Sequence, residues 1–221
     1  MIRSEFRAGS LYTRAGQRKY LTTAERSRFL TAALSSPRAE LRTLCLTLLY
    51  TGCRISEALA ITPRAIERQA GFIAIRSLKK RKKTVVIREV PTPADLLDAL
   101  AGAHELEQHD LRLWRFTRFR AWQLVKAVMR EASIAEGPHM TPKGLRHSFG
   151  IHAIRSGVPL NLVQRWLGHA SMITTAIYLD ALGDEEREIA ARMWTRSVGL
   201  HGGLEQPVTA VLNLRAGNDP R

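Results

Sequence analysis

Thr51-Gly52-Cys53-Arg54-Ile55-Ser56-Glu57-Ala58-Leu59 reads as a helix stop followed at once by a helix start. Upstream of it, Leu41, Leu44, Cys45, Leu48 and Leu49 recur at helical spacing on one stripe, which predicts a core helix over 38–51. Gly52 suits the stop, because glycine adopts the left-handed conformation of a helix C-terminus without a Cβ penalty. A short helix is predicted from Ile55 to Ile61, closed by Pro63. Arg54 falls in the joint between the two helices. Alone, an arginine there is ordinarily a surface charge.

Toward the N-terminus, Thr22-Thr23-Ala24-Glu25 has the form of a capping box, and Phe29, Leu30 and Ala33 continue one face of the helix it starts. Residues 1–19 carry Arg3, Arg7, Arg14, Arg18 and Lys19 against Glu5 with no clear period, so they read as a basic arm or linker, with order beginning near Tyr20. Downstream the period shortens. Phe72-Ile73-Ala74-Ile75 and Val85-Val86-Ile87 predict two strands joined through Lys79-Lys80-Arg81-Lys82-Lys83, a β-hairpin with a cationic tip. Pro91 and Pro93 return the chain to helices near 93–101, 117–132, 142–156, 159–167, 171–180 and 184–195. The tail is polar except for Val208 to Leu214. The predicted fold class is therefore mainly α with a small antiparallel β-hairpin. It divides into an arm over 1–19, one domain over 20–197 and a tail over 198–221.

Composition bounds the function. The 221 residues hold 34 Lys+Arg against 20 Asp+Glu, so the net charge is 34 − 20 = +14, while 45% hydrophobic residues are enough for an ordinary core. Cys45 and Cys53 cannot make a disulfide framework, nothing resembles a secretion signal, and no apolar run approaches the roughly 20 residues that span a bilayer. These features predict a cytoplasmic protein with a polyanionic partner, most simply nucleic acid. Scattered histidines, unclustered carboxylates and the absence of a glycine-rich phosphate loop predict no metal and no nucleotide cofactor.

Three further stretches carry candidate chemistry: the hairpin, Lys143-Gly144-Leu145-Arg146-His147-Ser148-Phe149, and Leu167-Gly168-His169-Ala170-Ser171 followed by Thr174-Thr175 and Tyr178. Each is unremarkable alone. Together with Thr51 to Leu59 they have the order of the catalytic boxes of the tyrosine recombinases, the phage integrase family, and the chain resembles that family over about 20–197. The separations of 23 positions from Arg146 to His169 and nine from His169 to Tyr178 are also family-like.

The resemblance implies a site-specific recombinase that breaks and rejoins DNA through a 3′-phosphotyrosine without metal or ATP. On this reading Arg54 and Arg146 clamp the phosphate, for which the planar, permanently charged guanidinium is suited. Tyr178 attacks phosphorus, and His169 hydrogen-bonds the phosphate or carries a proton. Lys79, with Lys80 as the alternative, protonates the leaving 5′ oxygen. One departure stands out: the position three before Arg146 is usually histidine in this family and is Lys143 here. A lysine supplies charge but is a poor neutral base, so Lys143 reads as a charge stabiliser. His139 lies outside the box, His147 reads as a structural histidine, and Glu57 as a residue that orients a neighbouring cation.

DNA contacts beyond the site are expected from Lys80, Arg81, Lys82 and Lys83 at the tip. Arg115, Arg118 and Arg120 would add to them from a stretch interleaved with Trp114 and Trp122, whose indoles would also suit the core. Most family members carry an additional N-terminal helical domain that 1–19 is too short to form, so the chain reads as a short form or a fragment. The resemblance also implies double-stranded DNA with inverted-repeat sites, nucleoid association, and a monomer that becomes a homotetramer on DNA, with the face of helix 184–195 docked on a neighbour. Two readings compete: a DNA-binding regulator of the same fold without chemistry, and a topoisomerase IB-like nicking and closing enzyme.

Overall fold

The computed structural model describes residues 10–78, 86–107 and 110–181. The hairpin tip 79–83, the helix expected at 184–195 and the tail lie outside the described residues. Helix α1 (Thr23–Ser35) starts at the expected capping box: the Glu25 amide donates to Thr22 Oγ1 at 3.2 Å and the Thr22 amide donates to the Glu25 carboxylate at 2.9 Å. The same carboxylate corrects the expectation that order begins near Tyr20. Arg18 donates to both Glu25 oxygens at 2.7 and 2.5 Å, an antiparallel bridge joins Tyr12 to Arg18, and Leu11 is 1% exposed. A buried carboxylate demands a partner, and it draws the preceding segment onto the domain.

Helix α2 (Ala39–Thr51) is more deeply buried than a single apolar stripe implies. Thr43, Thr47 and Thr51 are buried as fully as Leu44 and Leu48. Thr43 and Thr51 can be, because their hydroxyls donate to the carbonyls four residues back, of Ala39 at 2.9 Å and Thr47 at 2.7 Å. The helix becomes the axis of the domain, packed against α1, α4 (Ala94–Ala103), α5 (Arg118–Glu131) and α6 (Pro142–Arg155). After α2 comes α3 (Ile55–Ala58), shorter than the 55–61 expected. Trp114 belongs wholly to this core, its indole N–H donating to the Glu40 carbonyl at 2.9 Å.

The sheet has three antiparallel strands in the order β1 (Ile66–Glu67), β2 (Phe72–Arg76), β3 (Ile87–Pro91), one more than the hairpin expected. Its last strand also begins later than the apolar run Val85 to Ile87 suggests. Ile73 pairs with Val90 and Ile75 with Arg88, so Arg88 and Val90 are buried while Val86 and Ile87 are 57% and 62% exposed. Strand alternation is set by pairing, and here one inward position is taken by an arginine. The sheet lies beside α3 and α7 (Leu160–Leu167). The single helix expected over 171–180 is instead one turn, α8 (Ile173–Ala176), and a 3₁₀ turn at Leu179–Ala181.

Both helix stops occur where glycine predicts them, with Gly52 at φ 59° and Gly168 at φ 65°. At Gly52 a Cβ would also lie 2.5 Å from Phe149 Cδ1 and 2.9 Å from Leu167 Cδ2. Gly71 has the same handedness, φ 73°, with open space around it. Gly71→Ala is therefore expected to cost only the left-handed penalty of about 1–2 kcal/mol. Gly52→Ala should add a packing conflict of about 1–3 kcal/mol more. Urea denaturation of the two variants side by side measures the difference.

Candidate active site

The second arginine box is organised around one side chain. Arg146, in the second turn of α6, is 6% exposed and meets no carboxylate among the described residues. Its guanidinium donates to the Gly52 carbonyl at 2.8 Å and to the Leu167 carbonyl at 2.6 Å. Those carbonyls belong to the C-terminal ends of α2 and α7, where backbone acceptors lack helical partners and the helix dipole is negative. Three elements distant in sequence are joined through one cation. Burial, and then the charge of Arg54, lower its pKa to about 10, which still leaves it protonated at neutral pH.

Arg54 caps α3 and is held by Glu57. The Glu57 carboxylate accepts from the Arg54 amide at 2.9 Å and from its guanidinium at 2.8 Å. On its other side it accepts from Arg88 at 2.6 Å. Arg88 in turn donates through Nε to the Trp166 carbonyl at 2.6 Å. Glu57 therefore orients Arg54 as the sequence reading proposed, and Arg88 anchors it to the end of α7. Burial alone would raise the Glu57 carboxyl, but Arg88 and the Arg54 amide and guanidinium together hold it below the usual carboxylate range.

Thr141 and Pro142 open α6, with the Thr141 hydroxyl accepting from the Gly144 amide at 3.0 Å, and they place Lys143 exposed in the first turn. Lys143, Arg54, Arg146 and His169 line one open cleft of about 510 Å³. His169 Nδ1 is 2.9 Å from the Thr175 hydroxyl. Burial, then the charges of Arg146 and Arg54, push its pKa down to about 3, so it is a neutral imidazole at physiological pH. Its ring stacks on Tyr178, with centroids 6.2 Å apart and planes at 18°.

Tyr178 lies one side-chain layer behind the cleft. It is 1% exposed, and the rings of His147 and His169 beside it line the cleft while it does not. Its hydroxyl is 3.3 Å from His147 Nδ1. The notch it fills exists because residue 150 is glycine: a Cβ there would lie 2.5 Å from Tyr178 Cε2. Burial pushes the phenol up to about 12, against the opposing pull of Arg146 and Arg54. His147 is held neutral, near 3, by burial and then by Lys143, Arg146 and Lys19.

The structure thus brings together Arg54, Lys143, Arg146 and His169 at the cleft and Tyr178 behind it. Lys79, Lys80, Arg81, Lys82 and Lys83 lie outside the described residues. Arg118 reaches the cleft wall, whereas Arg115 and Arg120 are exposed away from it. His139 is buried against Glu25, 3.8 Å away, and does not reach the cleft. Among the described residues no group of three His, Cys, Asp or Glu side chains is placed to hold a metal. None of the described helices is long and apolar enough to cross a membrane.

An arginine clamp beside a neutral histidine and a tyrosine, on a helical domain with a small antiparallel sheet, defines the catalytic-domain class of tyrosine recombinases. Residues 19–184 match the phage integrase family, and the chain belongs to it. It is 29% identical over 163 residues to the tyrosine recombinase XerD of Halalkalibacterium halodurans, covering 69% of this chain and 53% of that protein. The chain therefore spans about half of that relative's length. The crystal structure of XerA recombinase superposes with a TM-score of 0.64 at 28% identity, over 79% of this chain and 64% of that one. The catalytic domain of bacteriophage HP1 integrase shares the fold, with a TM-score of 0.60 at 22% identity over 81% of this chain and 96% of that one.

Sequence reasoning missed Arg88. Arg88 sits in Ile87-Arg88-Glu89-Val90, which alternates like a strand only if an arginine counts as an inward residue. Its partner was the available signal, since a buried Glu57 between two cations needs a second one. Glu57→Gln is expected to cost about 3–5 kcal/mol at pH 7, because it leaves a buried guanidinium uncompensated. The folded pKa of Glu57 lies below its unfolded value, so its contribution is present above the ordinary carboxylate value of about 4 and is lost as pH falls through the folded one. In urea titrations the gap between wild type and variant should close on acidification. A gap that stays constant from about pH 7 to pH 3 would remove charge as its source.

Proposed function

We propose that this chain cuts and rejoins duplex DNA at specific sites by forming a covalent phosphotyrosine at Tyr178. The observation that carries this reading is the convergence of Arg54, Lys143 and Arg146 on one cleft, with a tyrosine hydroxyl directly behind its histidine wall. The cations oppose one another until an anion enters, and a phosphodiester between them gains from every one. Preorganised charge of this kind is usually the largest catalytic term. No metal or nucleotide is required, because each bond broken is replaced by one of similar energy.

In the proposed reaction Tyr178 Oη bonds to phosphorus as the bond from phosphorus to the 5′ oxygen breaks. The DNA 3′ end is then held as a phosphotyrosine and the other end leaves as a 5′-hydroxyl. Arg54 and Arg146 balance charge on the non-bridging oxygens, with Lys143 adding a third cation. His169, neutral and fixed by Thr175, donates a hydrogen bond to the phosphate. The phenolic proton is lost as Tyr178 leaves the notch, to a phosphate oxygen or water in the cleft, because His147, held near 3, is too weak a base to keep it. Lys79, or Lys80, supplies the proton for the 5′ oxygen. Attack requires Tyr178 to leave its notch, so exposure of the nucleophile is a step that DNA binding can drive. We further propose that the sites are inverted repeats and that monomers assemble into a tetramer on them, as recombination of two duplexes requires. The depth at which Tyr178 is buried favours, as the second reading, a family member that binds DNA without cutting it.

The test is capture of the intermediate. A DNA site is enriched from a randomised pool, nicked beside its centre so that a short strand is lost on cleavage, and incubated with the protein. A covalent adduct is expected from the wild type and none from Tyr178→Phe. Arg146→Ala should lower adduct formation by at least 100-fold, with most DNA affinity retained. A 5′-bridging phosphorothiolate needs no acid for its leaving group. It should therefore rescue whichever of Lys79→Ala and Lys80→Ala removes the acid. No adduct from wild type on any enriched site supports the non-cleaving reading.

A further inference from the structure

Helix α5 exposes two aromatic rings that its fold does not need. Its inner face is filled by Ala121, Leu124, Val125 and Val128, all buried. On its outer face Phe119 is 68% exposed and Trp122 37%, the two rings stacked at 6.4 Å and 12°. Lys126 Nζ lies 5.3 Å above the indole. Of the two places the sequence left open for these indoles, Trp114 takes the core and Trp122 the exposed face.

The position of the pair is what gives it meaning. Trp122 and Arg118, one helical turn apart, form part of the wall of the cleft that also holds Arg54, Lys143 and Arg146. Phe119 continues the aromatic surface from Trp122 along α5. If the cleft seats the scissile phosphate, as proposed above, the neighbouring base pairs lie within reach of this surface. Arg118 and Arg120 flank Phe119 on the same exposed stretch, which matches a polyanion and opposes a basic protein partner. A phenyl ring, however, gains nothing from a phosphate. What it can bury itself against on duplex DNA is an apolar edge, and in the major groove that edge is the C5 methyl group of thymine. A helix is also the element that the major groove admits.

We propose that Phe119, supported by Trp122, is a sequence-reading element that packs against a thymine methyl beside the scissile phosphate and so contributes to the choice of site. The proposal rests on the DNA-cleaving reading of the cleft but assigns something that reading leaves open. Arg118 and Lys143 hold the backbone, and the aromatic pair discriminates between bases.

The experiment is parallel enrichment of binding sites from one randomised duplex pool by the full chain and by its Phe119→Ala variant, with Leu34→Ala, an exposed apolar residue on α1, as the control. Wild type and Leu34→Ala are expected to enrich the same motif, with a thymine column that Phe119→Ala loses. Replacing that thymine by deoxyuridine, which lacks only the methyl, should weaken wild-type binding roughly fourfold, the worth of one buried carbon group. It should leave Phe119→Ala unchanged. The same motif from both proteins, or equal sensitivity to deoxyuridine, overturns the proposal while leaving the cleft reading intact. No enrichment by any of the three overturns both. An unchanged motif together with an altered sedimentation coefficient of Phe119→Ala without DNA overturns it too. That outcome would assign the rings to a second copy of the chain or to its own residues beyond 181.

Discussion

The domain depends on a cation held by backbone rather than by acid. Arg146 spends two of its donors on the carbonyls that end α2 and α7. Helix ends are the places in a folded chain where unpaired acceptors are abundant. A carboxylate would have neutralised the arginine. Carbonyl oxygens orient it and leave its full charge directed at the cleft. The arrangement works only if the two helix ends come within one guanidinium of each other, and that closeness is set by Gly52, whose missing Cβ leaves room for Phe149 and Leu167. Removing the close approach would separate the first arginine box from the other two.

The electrostatics of the cleft follow from that choice. Arg54 is partly neutralised by Glu57, and Glu57 is shared with Arg88, so one buried carboxylate serves two guanidiniums, while Arg146 and Lys143 pair with none among the described residues. The resulting positive field, added to burial, keeps His147 and His169 uncharged. Neutral imidazoles beside arginines can accept as well as donate hydrogen bonds, which imidazolium ions cannot. The same field offsets part of the burial penalty on ionising Tyr178. In this structure the hydroxyl is nevertheless closed off beside Gly150 and His147, so the charge is prepared in advance and the nucleophile is delivered separately.

Much of this was legible in the residues because local chemistry decides it. The Thr22–Glu25 capping box, the glycine stops at 52 and 168, and the Thr141–Pro142 start of α6 are each settled within four residues. What failed did so where a long-range partner overrides local pattern. Arg18 belongs to the ordered domain because of Glu25. The last strand includes Arg88 because of Glu57; by contrast, Thr43 and Thr51 of α2 are buried because their hydroxyls are satisfied within the helix itself. Trp114 and Trp122 look alike in sequence, and only packing sends one to the core and leaves the other 37% exposed.

The sequence by itself determined the family and the fold class, and it proposed Arg54, Lys143, Arg146, His169 and Tyr178, which the fold gathers at or behind one cleft. Those rest on residue types at fixed spacings, and spacing survives without coordinates. Tertiary structure alone decided that Arg146 is gripped by two helix ends, that Glu57 is shared between Arg54 and Arg88, that Tyr178 sits sealed behind two histidines, and that Phe119 faces outward beside the cleft. Each of these joins residues tens of positions apart or depends on which side of a helix the core occupies. Such relations arise only when the chain closes on itself, because burial and long-range hydrogen bonding are properties of neighbours in space.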